Sequence, residues 1–385
     1  MSEYKLERDE RMKIKCNEAT DVPHLLRCRV PFRVSGGERI SPASLKRTVA
    51  RKFFYSRKIL SGPMRYKNIA GMVLLMFLLF IFNGCSLYDD SQVANTDVSS
   101  AEPRIFGATY MTMNNPYFEV LNNSIEEVVE ANGDVLITRD PAQDQEKQNS
   151  QILDMIEEGV GAIFLNPVDW KKVEPALKAC KEAGIPVFNV DTYVYDTEYV
   201  VTTIISDNYD AGVQCAKDMM SKLDSARIVV LDRPNMYSIT QRVKGFLDTI
   251  EGNDKYTVVA QESGGAELQV SMEVMKGILL TGKTFNVVMG GNDPTALGAL
   301  AALQLNHVDD GVLIYGVDGS PDGKMMIKEG YLEGSSAQYP ITIGTVAART
   351  AYEYLENKHV EKCITIPVKL ITKNNLDKFE IDGWQ

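Results

Sequence analysis

Histidine and tryptophan are scarce in this 385-residue sequence, with three and two copies. His24, His307 and His359 stand far apart, so no metal cluster of histidines is expected. The six cysteines, Cys16, Cys28, Cys85, Cys180, Cys215 and Cys363, include no CxxC pair. Such scatter excludes a zinc knuckle or a small disulfide scaffold. Cys180 and Cys215 fall at apolar helical positions and read as buried thiols. There is no phosphate loop, no GxGxxG, no HExxH and no GxSxG. With no nucleophile–base pair and no metal set, an enzyme is not expected, and no cofactor is implied.

Basic charge is missing from most of the chain. Residues 1–84 hold 17 Lys/Arg against 7 Asp/Glu, leaving 24 against 45 in 85–385. A body that acidic repels nucleic acid and anionic lipid, so neither is an expected partner of it. Apolar runs of membrane-spanning length are also missing, since a span needs about 20 apolar residues. What is present is "MRYKNIAGMVLLMFLLFIFNGCS" (64–86): a methionine, Arg65 and Lys67, a short apolar core to Phe82, then Gly84–Cys85. That three-part layout is a secretory signal peptide over 64–84. Its Gly–Cys end resembles a bacterial lipoprotein cleavage box, which would make Cys85 the lipidated first residue of the mature protein. Phe82 and Asn83 depart from the small or aliphatic residues of that box, and an uncleaved signal anchor is the alternative. Both place the body outside the cytoplasm. Residues 1–63 precede a signal peptide with its own methionine and read as a mis-called extension. Polar, small residues over 85–103 fit a tether from lipid to domain.

From 104 onward, short apolar runs alternate with stretches of helical spacing. "RIFGATYM" (104–111), "DVLITRD" (134–140), "AIFLNP" (162–167), "PVFNVD" (186–191) and "VVTTIIS" (200–206) read as strands. "ARIVVLD" (226–232), "YTVVAQES" (256–263), "FNVVMGG" (285–291), "GVLIYGVD" (311–318) and "ITIPVKLIT" (364–372) continue the series. Helices are expected between them and near 340–357. Alternation of this kind implies parallel sheets in an α/β fold. The number of strands fits two similar lobes better than one sheet.

Ligands in such sheets bind beyond the carboxyl ends of the strands. The residues there are Asn114, Asn115, Tyr117 and Phe118; Asn166; Asp191; Asn292 and Asp293; Asp318; and Gln338. Amides and carboxylates pair with vicinal hydroxyls, and ring faces cover apolar C–H faces. Any one of these residues could equally be a helix cap, as "GGNDPTALG" illustrates.

The stretches "NNPYF" (114–118), "NPVD" (166–169), "IPVFNVD" (185–191), "SDN" (206–208), "GNDPTALGAL" (291–300), "GVDGSPDG" (316–323) and "AQYP" (337–340) resemble the ribose- and galactose-binding receptors of bacterial ABC importers. These form the sugar-binding branch of the periplasmic binding protein family. The resemblance covers nearly all of 104–372. It implies two doubly wound parallel-sheet lobes joined by a three-crossing hinge, the type I periplasmic-binding-protein fold. The first lobe would be 104–206 plus 338–372 and the second 207–337 plus 373–385. It also implies a monosaccharide or polyol held between the lobes by Asn115, Tyr117, Phe118, Asp191, Arg242, Asn292, Asp318 and Gln338, and a monomer that delivers it to an ABC permease. A receptor of the same fold that presents bound sugar to a membrane sensor kinase or chemoreceptor is the alternative. Two positions depart from the ribose pattern: Thr192 stands where an arginine is usual, and Ala266 where an aromatic is usual. Tyr193, Tyr195 or Tyr237 could cover the gap or lie on the surface.

Overall fold

The computed structural model describes residues 102–385. The expected leader, Cys85 and nearly all of the tether lie outside the described residues. Strands β1 (Ile105–Thr109), β2 (Val135–Arg139), β3 (Ala162–Leu165), β4 (Val187–Val190) and β5 (Thr202–Ser206) alternate with helices α1 (Pro116–Ala131), α2 (Gln145–Glu157) and α3 (Glu174–Glu182). Then α4 (Asn208–Lys222) opens a second series. Its strands are β6 (Ala226–Asp232), β7 (Tyr256–Ser263), β8 (Val287–Gly290), β9 (Leu313–Asp318) and β10 (Gly334–Ala337). Between them run α5 (Tyr237–Ile250), α6 (Leu268–Leu280), α7 (Asp293–Leu305) and α8 (Pro321–Glu329). The chain continues through α9 (Pro340–Leu355), β11 (Cys363–Ile366) and β12 (Lys369–Thr372).

Two six-stranded sheets result, ordered β11-β5-β4-β3-β1-β2 and β12-β10-β9-β8-β6-β7. Every pairing is parallel except β10 with β12. The central strands "AIFL" and "VFNV" are buried along their whole length, because helices cover both faces of a parallel sheet. The edge strand β2 is exposed or half-buried throughout. Cys180 and Cys215 are buried thiols, and burial raises both above the ordinary thiol range.

The chain passes between sheets three times: from β5 into α4, from β10 into α9, and from β11 to β12. Helix α9 packs on α1 in the first lobe, whereas α4 packs on α5 and β10 in the second. The stretch 364–372, expected as one first-lobe strand, is therefore two strands in different sheets. Pro367 stands between them and has no N–H to carry a ladder onward. Residues 369–372 belong to the second sheet, not the first lobe. The only helix named from the sequence between 318 and 364 is that near 340–357, yet α8 forms at Pro321–Glu329 as well. Ser320 caps it by accepting from Gly323 N at 3.0 Å, Pro321 opens it, and Gly330 ends it at φ 86°. At nine residues, it is too short to show helical periodicity clearly.

Candidate functional site

In each sheet the strand order reverses between two neighbours, β1 and β3 in the first lobe and β6 and β8 in the second. A crevice opens beyond the carboxyl ends of such strands, because their connections leave on opposite faces. The two crevices face each other across one cavity of about 360 Å³. All eight contacts that the resemblance implies line it: Asn115, Tyr117, Phe118, Asp191, Arg242, Asn292, Asp318 and Gln338.

Asp191 follows β4 and is held from its own lobe. Asn166 Nδ2 donates to Asp191 Oδ2 at 2.9 Å, while Asn166 Oδ1 accepts from Met111 N at 3.1 Å. One amide thus fixes the first-lobe acid against the turn after β1. Asp318 ends β9, the equivalent strand of the second sheet. Gln338 Nε2 donates to its Oδ1 at 2.7 Å, and Arg242 Nη1 lies 3.6 Å from the same oxygen. Arg242 is itself locked, donating to Asn208 Oδ1 at 2.8 Å and to the Gly291 carbonyl at 2.9 Å.

Helix α5 can bring Arg242 this deep because glycines let α4 and α5 touch backbone to backbone. A Cβ on Gly212 would sit 1.8 Å from the Arg242 carbonyl oxygen, and one on Gly245 would sit 2.0 Å from that of Tyr209.

Burial dominates the electrostatics. It raises Asp191, with Arg242 the main opposing influence. It pushes Asp318 up to about 8, with Arg242 opposing and the charges of Asp293 and Asp191 adding to the rise. It raises Asp293 as well, offset by donors from Ser335 and Ser320. Tyr117 is raised by burial and then by the two acids. One guanidinium therefore faces more buried carboxylate than it can balance. Such a site favours a ligand that brings hydroxyl donors over one that brings negative charge.

Asn115 and Asn292 also do the duller work of capping. Asn115 Oδ1 accepts from Tyr117 N at 3.1 Å. Asn292 Oδ1 accepts from Thr295 N and Oγ1, and its Nδ2 donates to the Ala266 carbonyl at 3.2 Å. Each lines the cavity and starts a helix behind it. Asp293, next to Asn292, does not line the cavity. Its Oδ2 accepts from Ser320 N at 2.8 Å and Oγ at 2.7 Å, and its Oδ1 accepts from Ser335 Oγ at 2.5 Å. It binds α7 to α8 and β10 as a structural acid.

Sequence reasoning missed several residues of the cavity wall, among them Arg233, Gln143 and Ser238. Arg233 follows β6 and donates across the cleft to Gln143 Oε1 at 2.8 Å, and Gln143 in turn hydrogen-bonds Glu267. The strand-end logic, applied to β6, leads to Arg233. Ser238 had no such signal. It is 1% exposed, lines the cavity, and its hydroxyl has no hydrogen-bond partner among the described residues. Its backbone N donates to Thr192 Oγ1 at 3.0 Å, so a first-lobe threonine caps the second-lobe helix α5. Thr192 is therefore an interlobe cap. Ala266 lines the cavity as a small apolar wall. Tyr193, Tyr195 and Tyr237 do not line it. With Trp170 they form an aromatic cluster joining the lobes, with ring centroids 4.9 Å apart for Trp170–Tyr237 and 5.2 Å for Tyr193–Tyr237. Among the described residues, no group of His, Cys, Asp and Glu could hold a metal.

Residues 106–359 match the periplasmic binding protein domain family. The ribose import binding protein RbsB of Bacillus subtilis (strain 168) is 30% identical over 303 residues, covering 78% of this chain and 98% of that protein. The periplasmic binding component of the arabinose ABC transporter from Shewanella sp. ANA-3, solved with alpha and beta-L-arabinofuranose, aligns with a TM-score of 0.67. It is 26% identical and covers 71% of this chain and 93% of its own. An ABC transporter solute binding protein from Bacillus halodurans C-125, solved with myo-inositol, shares the fold at a TM-score of 0.68. It is 23% identical and covers 73% and 98% of the two chains.

Proposed function

The chain belongs to the periplasmic binding protein family, and from that membership we propose that it is an extracytoplasmic receptor for a monosaccharide or related polyol. It holds the ligand between its lobes and delivers it to an ABC importer. The observation that carries this reading is the pair of buried acids, Asp191 and Asp318, which reach one cavity from equivalent strand ends of opposite lobes. Each hydrogen-bonds ligand hydroxyls from its own side. Arg242 donates to the same hydroxyls. Tyr117 and Phe118, packed edge to face at 5.3 Å, cover the C–H surface of the ring. Gln338, Asn115 and Asn292 complete the polar wall, and the unpartnered Ser238 hydroxyl adds a contact.

Thr192 and Ala266 set this site apart from a ribose pattern: one charged donor and one ring are replaced by a cap and a small wall. Arg233 supplies a second cation at the cleft. The names of the relatives support the class: import binding for ribose, and structures with arabinofuranose and with myo-inositol. Lipidation at Cys85 is proposed on the leader sequence alone.

A thermal-shift screen of monosaccharides and inositols tests the reading, since a ligand bound only by the folded state stabilises it by about 2.7 kcal/mol at 100 times its Kd. A shift of several degrees with at least one of these ligands is expected. No shift with any pentose, hexose or inositol at millimolar concentration would overturn it.

A further inference from the structure

We propose that residues 380–385 belong to the ligand-binding machinery, anchored by Lys324 and positioning Asp318, Gln338 and Tyr117 from behind the cleft. This rests on the cleft being the ligand site. Lys324 lies on α8 and is fully buried. Among the described residues no carboxylate forms an ion pair with its ammonium. Nζ donates instead to the carbonyls of Glu380 and of Gly383, at 2.5 and 2.6 Å, and to Gln385 Oε1 at 3.1 Å. A buried ammonium costs too much to keep unless its donors are satisfied, so these three acceptors tie the tail to the second lobe.

The other end of the same amide faces the site. Gln385 Nε2 donates to the carbonyls of Asp318 at 3.3 Å, Gly319 at 3.0 Å and Gln338 at 3.2 Å. It therefore joins the end of β9 to the crossing that leaves β10. Gly319 is shaped for this: it sits at φ 64°, and a Cβ there would lie 2.6 Å from Gln385 Nε2. Trp384 reaches the first lobe, its ring edge-on to Tyr117 with centroids 5.6 Å apart. The tail thus touches the backbone of two cavity residues and the ring of a third, without lining the cavity. Gln385 and Trp384 are positioning residues.

Gln385→Glu separates anchoring from positioning. It keeps an acceptor for Lys324 but removes the donor to the three carbonyls. In the full chain, titrated with D-ribose, L-arabinose and myo-inositol, it should weaken whichever of these the wild type binds by about tenfold, the loss expected for a few neutral hydrogen bonds. The sugar-free melting temperature should stay within about 2 °C. Hydrogen–deuterium exchange without sugar should quicken about fivefold in peptides spanning 316–320 and 337–339, with β6 and β8 unchanged. The exchange measurement needs no sugar, so its outcome is separate from that of the receptor reading. Faster exchange confined to 380–385, or unchanged exchange everywhere, would overturn the proposal. Lys324→Met should release the tail and quicken the same peptides, at a cost in melting temperature that Gln385→Glu does not share.

Discussion

Asp191 and Asp318 hold the same place in two different sheets, and both hold it at positive φ, 67° and 143°. Asp191 follows β4 and Asp318 ends β9, which occupy matching positions in the two strand orders. A φ near 143° is a region that residues with a side chain rarely enter, and it persists only where the surroundings impose it. Here the Gln338 amide and the Arg242 guanidinium fix the carboxylate, while Gln385 binds the carbonyl. Backbone strain is retained at the two points where acids meet the cavity.

Their raised pKa values give the sugar-free protein a definite pH response. An aspartate in the unfolded chain titrates near 3.9. Asp318, pushed up to about 8 by burial, keeps its proton in the folded state across the interval above that. The folded state then binds more protons than the unfolded one, so stability is greatest at the acid end and falls as pH rises towards 8. Melting curves of the sugar-free protein should show this decline, and Asp318→Asn should flatten it. A melting temperature that rises from pH 5 to pH 8 equally in both proteins would contradict the assignment.

Loss of either acid should weaken sugar binding. A hydrogen bond contributes about 0.5–1.5 kcal/mol between neutral groups and about 1.5–3 kcal/mol where one is charged, so Asp191→Ala and Asp318→Ala should each cost roughly 2- to 100-fold in affinity. Arg242→Ala should lose as much and also lower stability by about 1–3 kcal/mol, because it leaves the buried Asn208 Oδ1 and the Gly291 carbonyl without their donor. Calorimetry and melting curves check both halves. Wild-type affinity in all three variants would reduce these residues to caps and structural pairs.

Closure of the lobes predicts a role for Thr192. Its hydroxyl caps α5 from across the cleft, and loss of a cap costs about 0.5–2 kcal/mol. Thr192→Val should therefore speed sugar release by roughly 2- to 30-fold, less than removal of an acid. Small-angle scattering of the wild type should show a smaller radius of gyration with sugar bound, as expected of a hinge. An unchanged release rate in the variant would mean that the cap contributes nothing to retention.

The Gly212–Arg242 approach predicts an indirect effect. Gly212→Ala places a methyl group against backbone, where side-chain rotation gives no relief. Overpacking of this kind costs about 1–3 kcal/mol, and here it also displaces Arg242. Melting temperature and sugar affinity should fall together. A variant as stable as wild type that binds normally would show that α4 and α5 can separate freely.

Cys85 is tested by mass. Intact-mass analysis of membrane-extracted protein should show a lipidated Cys85 as the first residue, and Cys85→Ser should release the protein or leave the leader uncleaved. A mature protein that begins upstream of Cys85 would defeat the lipoprotein proposal.

Much of this was legible in the sequence because parallel α/β folds write their pattern locally. The runs "AIFLNP" and "PVFNVD" show burial on both faces, and the amides and acids that follow them mark the ends where a crevice must form. The resemblance carried by such stretches names eight residues, Arg242 on α5 among them, and the structure brings all eight to one cavity. The sequence did not distinguish Asn292 from Asp293: both follow β8, yet one faces the cavity and the other is enclosed by Ser320 and Ser335. Such a difference depends on which way a side chain leaves a turn, and neighbours distant in the chain decide it.

The sequence by itself determined the two-lobe α/β plan and the chemical character of the cleft, because periodicity and strand-end composition are local properties. Only the tertiary structure decided what joins the lobes. Thr192 capping α5, Arg233 reaching Gln143, Lys324 gathering the tail, and β12 crossing into the second sheet all pair residues far apart in sequence. No local pattern encodes such pairs; they exist because folding closes the long loops between them.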